Sequence, residues 1–161
     1  MMWHEFTGDD PRFVLLLEYV LESWRDTPYM AGQRCKKGGV DCVRFVCAVL
    51  DEITGTDHSV VTLPQDAALH ARREAIRAMS RIRHLYSAAT IRGLVVEPGD
   101  VIVMAPARGG PSHAAIVGPR LNTVWHATPG GVAQTSCEGI LGCDFELNRI
   151  YRLKDRRTPW V

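Results

Sequence analysis

In Lys36-Lys37-Gly38-Gly39-Val40-Asp41-Cys42-Val43-Arg44-Phe45-Val46-Cys47-Ala48-Val49-Leu50, a glycine-bearing loop gives way at Asp41-Cys42 to an apolar run with helical spacing. Val43, Phe45, Val46, Cys47, Val49 and Leu50 read as the buried stripe of a helix ending near Gly55, a residue suited to a left-handed C-terminal cap. Cys42 then lies in the first turn, among N–H groups without intrahelical partners and at the positive end of the backbone dipole, where a thiolate is favoured. It is a candidate nucleophile. A free cysteine is more often a small buried hydrophobe. Two histidines on strand-like segments, in Ser112-His113-Ala114-Ala115-Ile116-Val117 and Thr123-Val124-Trp125-His126, raise Cys42 above that reading.

Towards the amino terminus, Asp10-Pro11 is an N-cap followed by proline at the first helical position. Phe13, Leu16, Leu17, Val20, Leu21 and Trp24 continue at helical spacing to about Arg25, and Thr27-Pro28-Tyr29 breaks that helix. Beyond Gly55, residues 66–85 are rich in Ala, Arg and Glu, which predicts one or two helices; Arg72, Arg73, Arg77, Arg81 and Arg83 read as a solvated face. After Gly93 the pattern changes to short β-branched runs at 101–104, 113–117, 123–126, 132–135 and 149–153. Pro98-Gly99-Asp100, Gly118-Pro119 and Pro129-Gly130-Gly131 punctuate them as turns. Helices first and an antiparallel sheet second define an α+β domain.

The 161 residues are 46% hydrophobic and 23% charged, enough for one globular domain with a real core. A net charge of +1 points to neither nucleic acid nor an anionic membrane. No run is long enough to span a bilayer, and residues 1–10 lack the basic start and apolar stretch of a signal peptide. Synthesis in the cytoplasm is expected. Cys35, Cys42, Cys47, Cys137 and Cys143 form an odd set without a CxxC pair, which argues against a disulfide scaffold. The spacings of Cys35, Cys42 and any histidine match no common zinc pattern, so no metal is expected. His4, His58, His70 and His84 read as ordinary surface or satisfied residues.

Cysteine catalysis needs a thiolate, a base that takes and returns its proton, and a polar group holding that base in one tautomer. A hairpin turning around 118–122 would carry His113 and His126 to neighbouring places on one sheet face, completing such a set with Cys42.

Thr27-Pro28-Tyr29, the glycine loop, Asp41-Cys42, Pro98-Gly99-Asp100-Val101-Ile102, Ser112-His113-Ala114-Ala115-Ile116-Val117 and Trp125-His126-Ala127, in that order, resemble the NlpC family of cell-wall cysteine peptidases, a circularly rearranged branch of the papain-like fold. The resemblance runs from about Trp24 to Tyr151. It implies a single NlpC-type peptidase domain over residues 1–161, with a helical insertion at about 64–92, and N-terminal helices packed on a C-terminal antiparallel sheet. Cys42 is then the nucleophile, His113 the general base and acid, and His126 the orienting third member. Tyr29 stands beside the nucleophile and Asp41 caps its helix, both supporting substrate or oxyanion. Val43-Arg44 departs from the Ser-Gly or Leu-Gly of many relatives, leaving Arg44 either to pair with a substrate carboxylate or to point to solvent.

The implied activity is hydrolysis of peptidoglycan stem peptides, at the bond between the γ-carboxyl of D-glutamate and a diamino acid, without metal or organic cofactor. The short single-domain form and the Gly-Gly-Val-Asp-Cys stretch are similar to peptidases encoded among tail genes of bacteriophages and gene transfer agents. That similarity implies a virion location at the tail tip or baseplate, other tail proteins as partners, and local opening of the wall for DNA entry. Two alternatives stand beside it: a structural tail protein with a weak or inactive peptidase fold, and a cysteine amidohydrolase or acyltransferase with another substrate.

Overall fold

The computed structural model describes residues 2–3, 11–56, 69–82, 85–87, 95–106, 112–140 and 145–154. Strand β1 (Met2–Trp3) precedes helix α1 (Pro11–Trp24), whose Phe13, Leu17, Val20, Leu21 and Trp24 are buried. A hairpin of two-residue strands, β2 (Arg34–Cys35) and β3 (Gly39–Val40), leads into α2 (Cys42–Thr54). Next come α3 (Leu69–Ala78), a 3-10 turn (Met79–Arg81), β4 (Leu85–Ser87) and β5 (Val95–Val96). The remainder is β6 (Val101–Pro106), β7 (His113–Val117), β8 (Thr123–Thr128), β9 (Gly131–Ser136), α4 (Cys137–Ile140) and β10 (Phe145–Leu153).

Apolar on nearly every side, α2 is the helix that such a composition buries. It packs against α1, β7, β8 and α3. Gly55 closes it at φ 67°, with its N–H donating to the Asp51 carbonyl at 2.9 Å. The main sheet runs β4-β10-β6-β7-β8-β9 and is antiparallel throughout. Strand alternation divides its side chains between two cores. Val101, Val103, Ala114, Ile116, Trp125 and Ala127 join α1 and α2 in the larger one. Ile102, Met104, Ala115, Val117, Val124 and Ile150 form the second, with Cys137 and Ile140 of α4. This is the expected α+β arrangement of helices on an antiparallel sheet.

Two expectations change. The helical reading of 66–85 stops early, because Ile82 takes an extended conformation after the 3-10 turn and Leu85–Ser87 pairs with β10. An added strand there satisfies backbone groups that an open sheet edge would leave unpaired. The stretch before Asp41 is not plain loop either: Gly38 closes the β2–β3 turn by donating to the Cys35 carbonyl at 2.9 Å. Asp10, His4, His58, His84, Arg83, Cys143 and much of 64–92 lie outside the described residues, as do the side chains of His70 and Arg72. Among the described residues, no helix is long and apolar enough to cross a membrane.

Candidate active site

Cys42 is the first residue of α2 and is fully buried. Asp41 holds the helix start in place. Its Oδ1 accepts the Arg44 N–H at 2.8 Å, the N-cap bond expected of an aspartate there, while Oδ2 accepts the Gly32 N–H at 2.8 Å. The Arg44 guanidinium donates to the same Oδ2 at 2.6 Å, and both side chains are about nine-tenths buried. Arg44 therefore does not point to solvent but is held in an ion pair with Asp41, as opposite charges three residues apart on a helix can be. Their i,i+3 spacing was the available signal. Tyr29 runs parallel to Val40 in a backbone bridge, two residues before Cys42, with Met30 N–H donating to the Val40 carbonyl at 3.0 Å.

The histidines come from the β7–β8 hairpin. Its ladder pairs Ile116 with Trp125 and Val117 with Val124, so His113 and His126 fall on the same face, that of the second core. His113 Nε2 and His126 Nδ1 are 2.9 Å apart, the ring centroids 5.2 Å apart and the planes at 74°. Ala114, next to His113, packs into the same cluster as Cys42, so the helix start and the strand start belong to one packed unit. The structure brings the two imidazoles into direct contact and anchors Cys42 on the helix that packs against their strands.

Burial pushes the His126 imidazole from its ordinary 6.5 down to about 4, so it is neutral at physiological pH. A neutral ring has one lone pair to offer. With His126 neutral, its Nδ1 accepts when His113 Nε2 carries a proton, which leaves Nδ1 as the other ring nitrogen of His113.

The depressed His126 value has a stability consequence. Above pH 6.5 neither folded nor unfolded chain protonates this ring; as pH falls towards 4, only the unfolded chain takes the proton, and stability is lost. Between pH 7 and pH 5 the expected loss is about 1–2 kcal/mol, allowing for partial solvent screening. Denaturant melts across that window should show it, and a His126→Asn chain should show a flatter profile. Identical slopes in the two proteins would contradict this.

The other described thiols differ in kind. Cys47 is pushed up to about 12 by burial and the nearby Asp51 charge, and Cys137 to about 11 by burial and Glu138. Both are protonated at neutral pH. Cys35 is exposed on β2. Phe145, which no motif in the sequence marks, stacks its ring on His113 at 5.3 Å with 25° between the planes. Among the described residues, no group of three or more His, Cys, Asp or Glu side chains is arranged to hold a metal ion.

No protein-family model and no curated protein matches the chain. Among solved structures it is similar to the NlpC/p60 domain of the peptidoglycan hydrolase SagA, at 20% identity and a TM-score of 0.51, over 83% of this chain and 97% of that one. It is also similar to a protein of Staphylococcus aureus subsp. aureus Mu50 described as similar to lipoprotein, NLP/P60 family, at 17% identity and a TM-score of 0.55. That match covers 92% of this chain and 45% of the other, so the chain spans under half of that protein's length. The chain thus shares the α+β fold of these NlpC/p60 domains.

Proposed function

We propose that the chain is a cysteine peptidase acting on peptidoglycan stem peptides, with Cys42 as nucleophile, His113 as general base and acid, and His126 as the orienting group. The 2.9 Å contact between the imidazoles, on an NlpC/p60 fold, is the observation that carries this reading. The Cys42 thiolate attacks the amide carbonyl, forming a C–S bond and a tetrahedral oxyanion that the N–H groups at the start of α2 stabilise. Collapse breaks the C–N bond as the His113 imidazolium gives its proton to the leaving amine. Water then attacks the thioester, with His113 accepting its proton, and the thiolate leaves. Asp41 and Arg44 hold the start of α2 in register for this, and Tyr29 lines its approach.

The bond cut is that between the D-glutamate γ-carboxyl and a diamino acid, and the setting is a phage tail or tail-like particle, whose other proteins are the partners. The bond follows from the resemblance of the segments from Thr27 to Ala127 to the NlpC family, and the setting from the similarity of the short single-domain form and the Gly39-Val40-Asp41-Cys42 stretch to tail-encoded peptidases. Full burial of Cys42 favours a second reading, a tail protein that keeps the fold for assembly. Incubating the purified chain with sacculi and identifying the products by mass spectrometry separates the two. The peptidase reading expects new glutamyl γ-carboxyl and diamino acid amine termini. Intact sacculi, together with particles that fail to assemble without the protein, would establish the structural reading instead.

A further inference from the structure

Strand β10 reaches the site by a detour. Ile150 pairs with Ile102 and Tyr151 with Val101, and strict alternation from there would turn Phe145 and Leu147 towards the α2 side of the sheet. The register shifts between Leu147 and Arg149, leaving Asn148 as an extra residue: Leu147 pairs with Met104, while Arg149 pairs with Val103. Such a bulge flips every side chain beyond it. Phe145 and Leu147 consequently pack with the second core, beside Met104 and Ile150. Met104 is also the cross-strand partner of His113. The flip therefore delivers the Phe145 ring, from two strands away, to the face that carries the imidazoles.

There the ring lies almost parallel to His113, centroids 5.3 Å apart, while His126 meets the same imidazole edge-on at 5.2 Å. A stacked contact restrains tilt of the imidazole plane, and a hydrogen bond along Nε2 restrains rotation within it. Neither alone fixes both.

We propose that Phe145, re-aimed by the bulge at Asn148, is a positioning residue for the His113 imidazole, holding its plane so that Nδ1 keeps one direction through both proton transfers. The inference rests on the peptidase reading for its catalytic consequence but not for its structural one. A base misdirected by a fraction of an ångström loses rate in the chemical step rather than in binding.

Phe145→Leu preserves bulk and apolar character but removes the aromatic face, and Phe145→Tyr restores it. In Phe145→Leu, kcat on a stem peptide should fall about tenfold to a hundredfold with KM unchanged, and Phe145→Tyr should recover most of the rate. Independently of turnover, the carbon-bound protons of the His113 ring should lose their upfield ring-current displacement in the leucine variant and regain it in the tyrosine variant. Resonances that do not move, or a leucine variant with the parent kcat, would overturn the proposal. If the parent chain itself releases no stem fragments, the peptidase reading fails instead, and the resonances still decide whether Phe145 holds the ring.

Discussion

Replacing Cys42 with alanine is expected to slow stem-peptide cleavage by a factor on the order of 10^4 or more, because removing the nucleophile of a covalent mechanism leaves only binding and oxyanion stabilisation. The change deletes one buried atom from a well-packed helix start, so the fold should survive with a loss of about 1 kcal/mol or less. The comparison that gives this its force is with the other thiols. Cys47 and Cys137 are protonated throughout the neutral range, and their alanine variants should keep the parent rate. Alkylating the exposed Cys35 should also leave turnover intact. The measurement is kcat/KM on a defined stem peptide, with circular dichroism as the folding control. A Cys42→Ala chain that still turns over, or a rate that vanishes with Cys47 instead, would remove Cys42 from the mechanism.

Burial gives the Cys42 site its particular character. A sulfur without solvent contact sits where charges interact strongly, so a thiolate formed there would be held by the helix start rather than by water. The Asp41 network matters in this context, since one carboxylate ties together Gly32, the first turn of α2 and the Arg44 side chain.

What could be seen in the residues alone was what depends on local order. The apolar period after Cys42, the Asp41 cap, the Gly55 terminus and the turn around 118–122 are all encoded within a few neighbours. The pairing of His113 with His126 follows from that turn and strand alternation. The parts that escaped depend on distant partners. β4 forms because β10 has an edge to fill, and nothing in Leu85-Tyr86-Ser87 by itself distinguishes a strand from the end of the preceding helix. The Phe145 stack depends on the extra residue at Asn148, and a bulge has no sequence signature comparable to a glycine turn. Arg44 is a third case: its ion-pair partner, Asp41, lies only three residues away, a spacing that is legible in the sequence.

The largest effect on stability is expected at Asp100. Its carboxylate is completely buried and accepts from Arg152 Nε at 3.0 Å, from Arg152 Nη2 at 2.9 Å and from the Glu97 N–H at 2.8 Å. Asp100 in turn raises the affinity of Arg152 for its proton. The turn that carries it, with Gly99 at φ 86°, is stitched to the end of β7: Gly99 N–H donates to the Val117 carbonyl at 2.9 Å, and Val117 N–H donates to the Asp100 carbonyl at 2.8 Å. Asp100 thus joins β10 to the strand that begins at His113. Asp100→Ala strands a largely buried guanidinium with only Glu97, 3.3 Å away, as its remaining carboxylate among these contacts. Removing one partner of a buried pair costs about 3–5 kcal/mol, and the help from Glu97 puts the expectation near the lower end. For a chain of this size that is a fall in Tm of about 10 °C. Asp100→Asn, which still accepts from the Glu97 N–H and one Arg152 donor, should lose about half as much. The double variant Asp100→Leu with Arg152→Met should regain much of the difference, because both buried charges leave together. Equal melting temperatures for Asp100→Ala and the parent would show that the turn is held by its backbone bonds alone, with the ion pair contributing nothing.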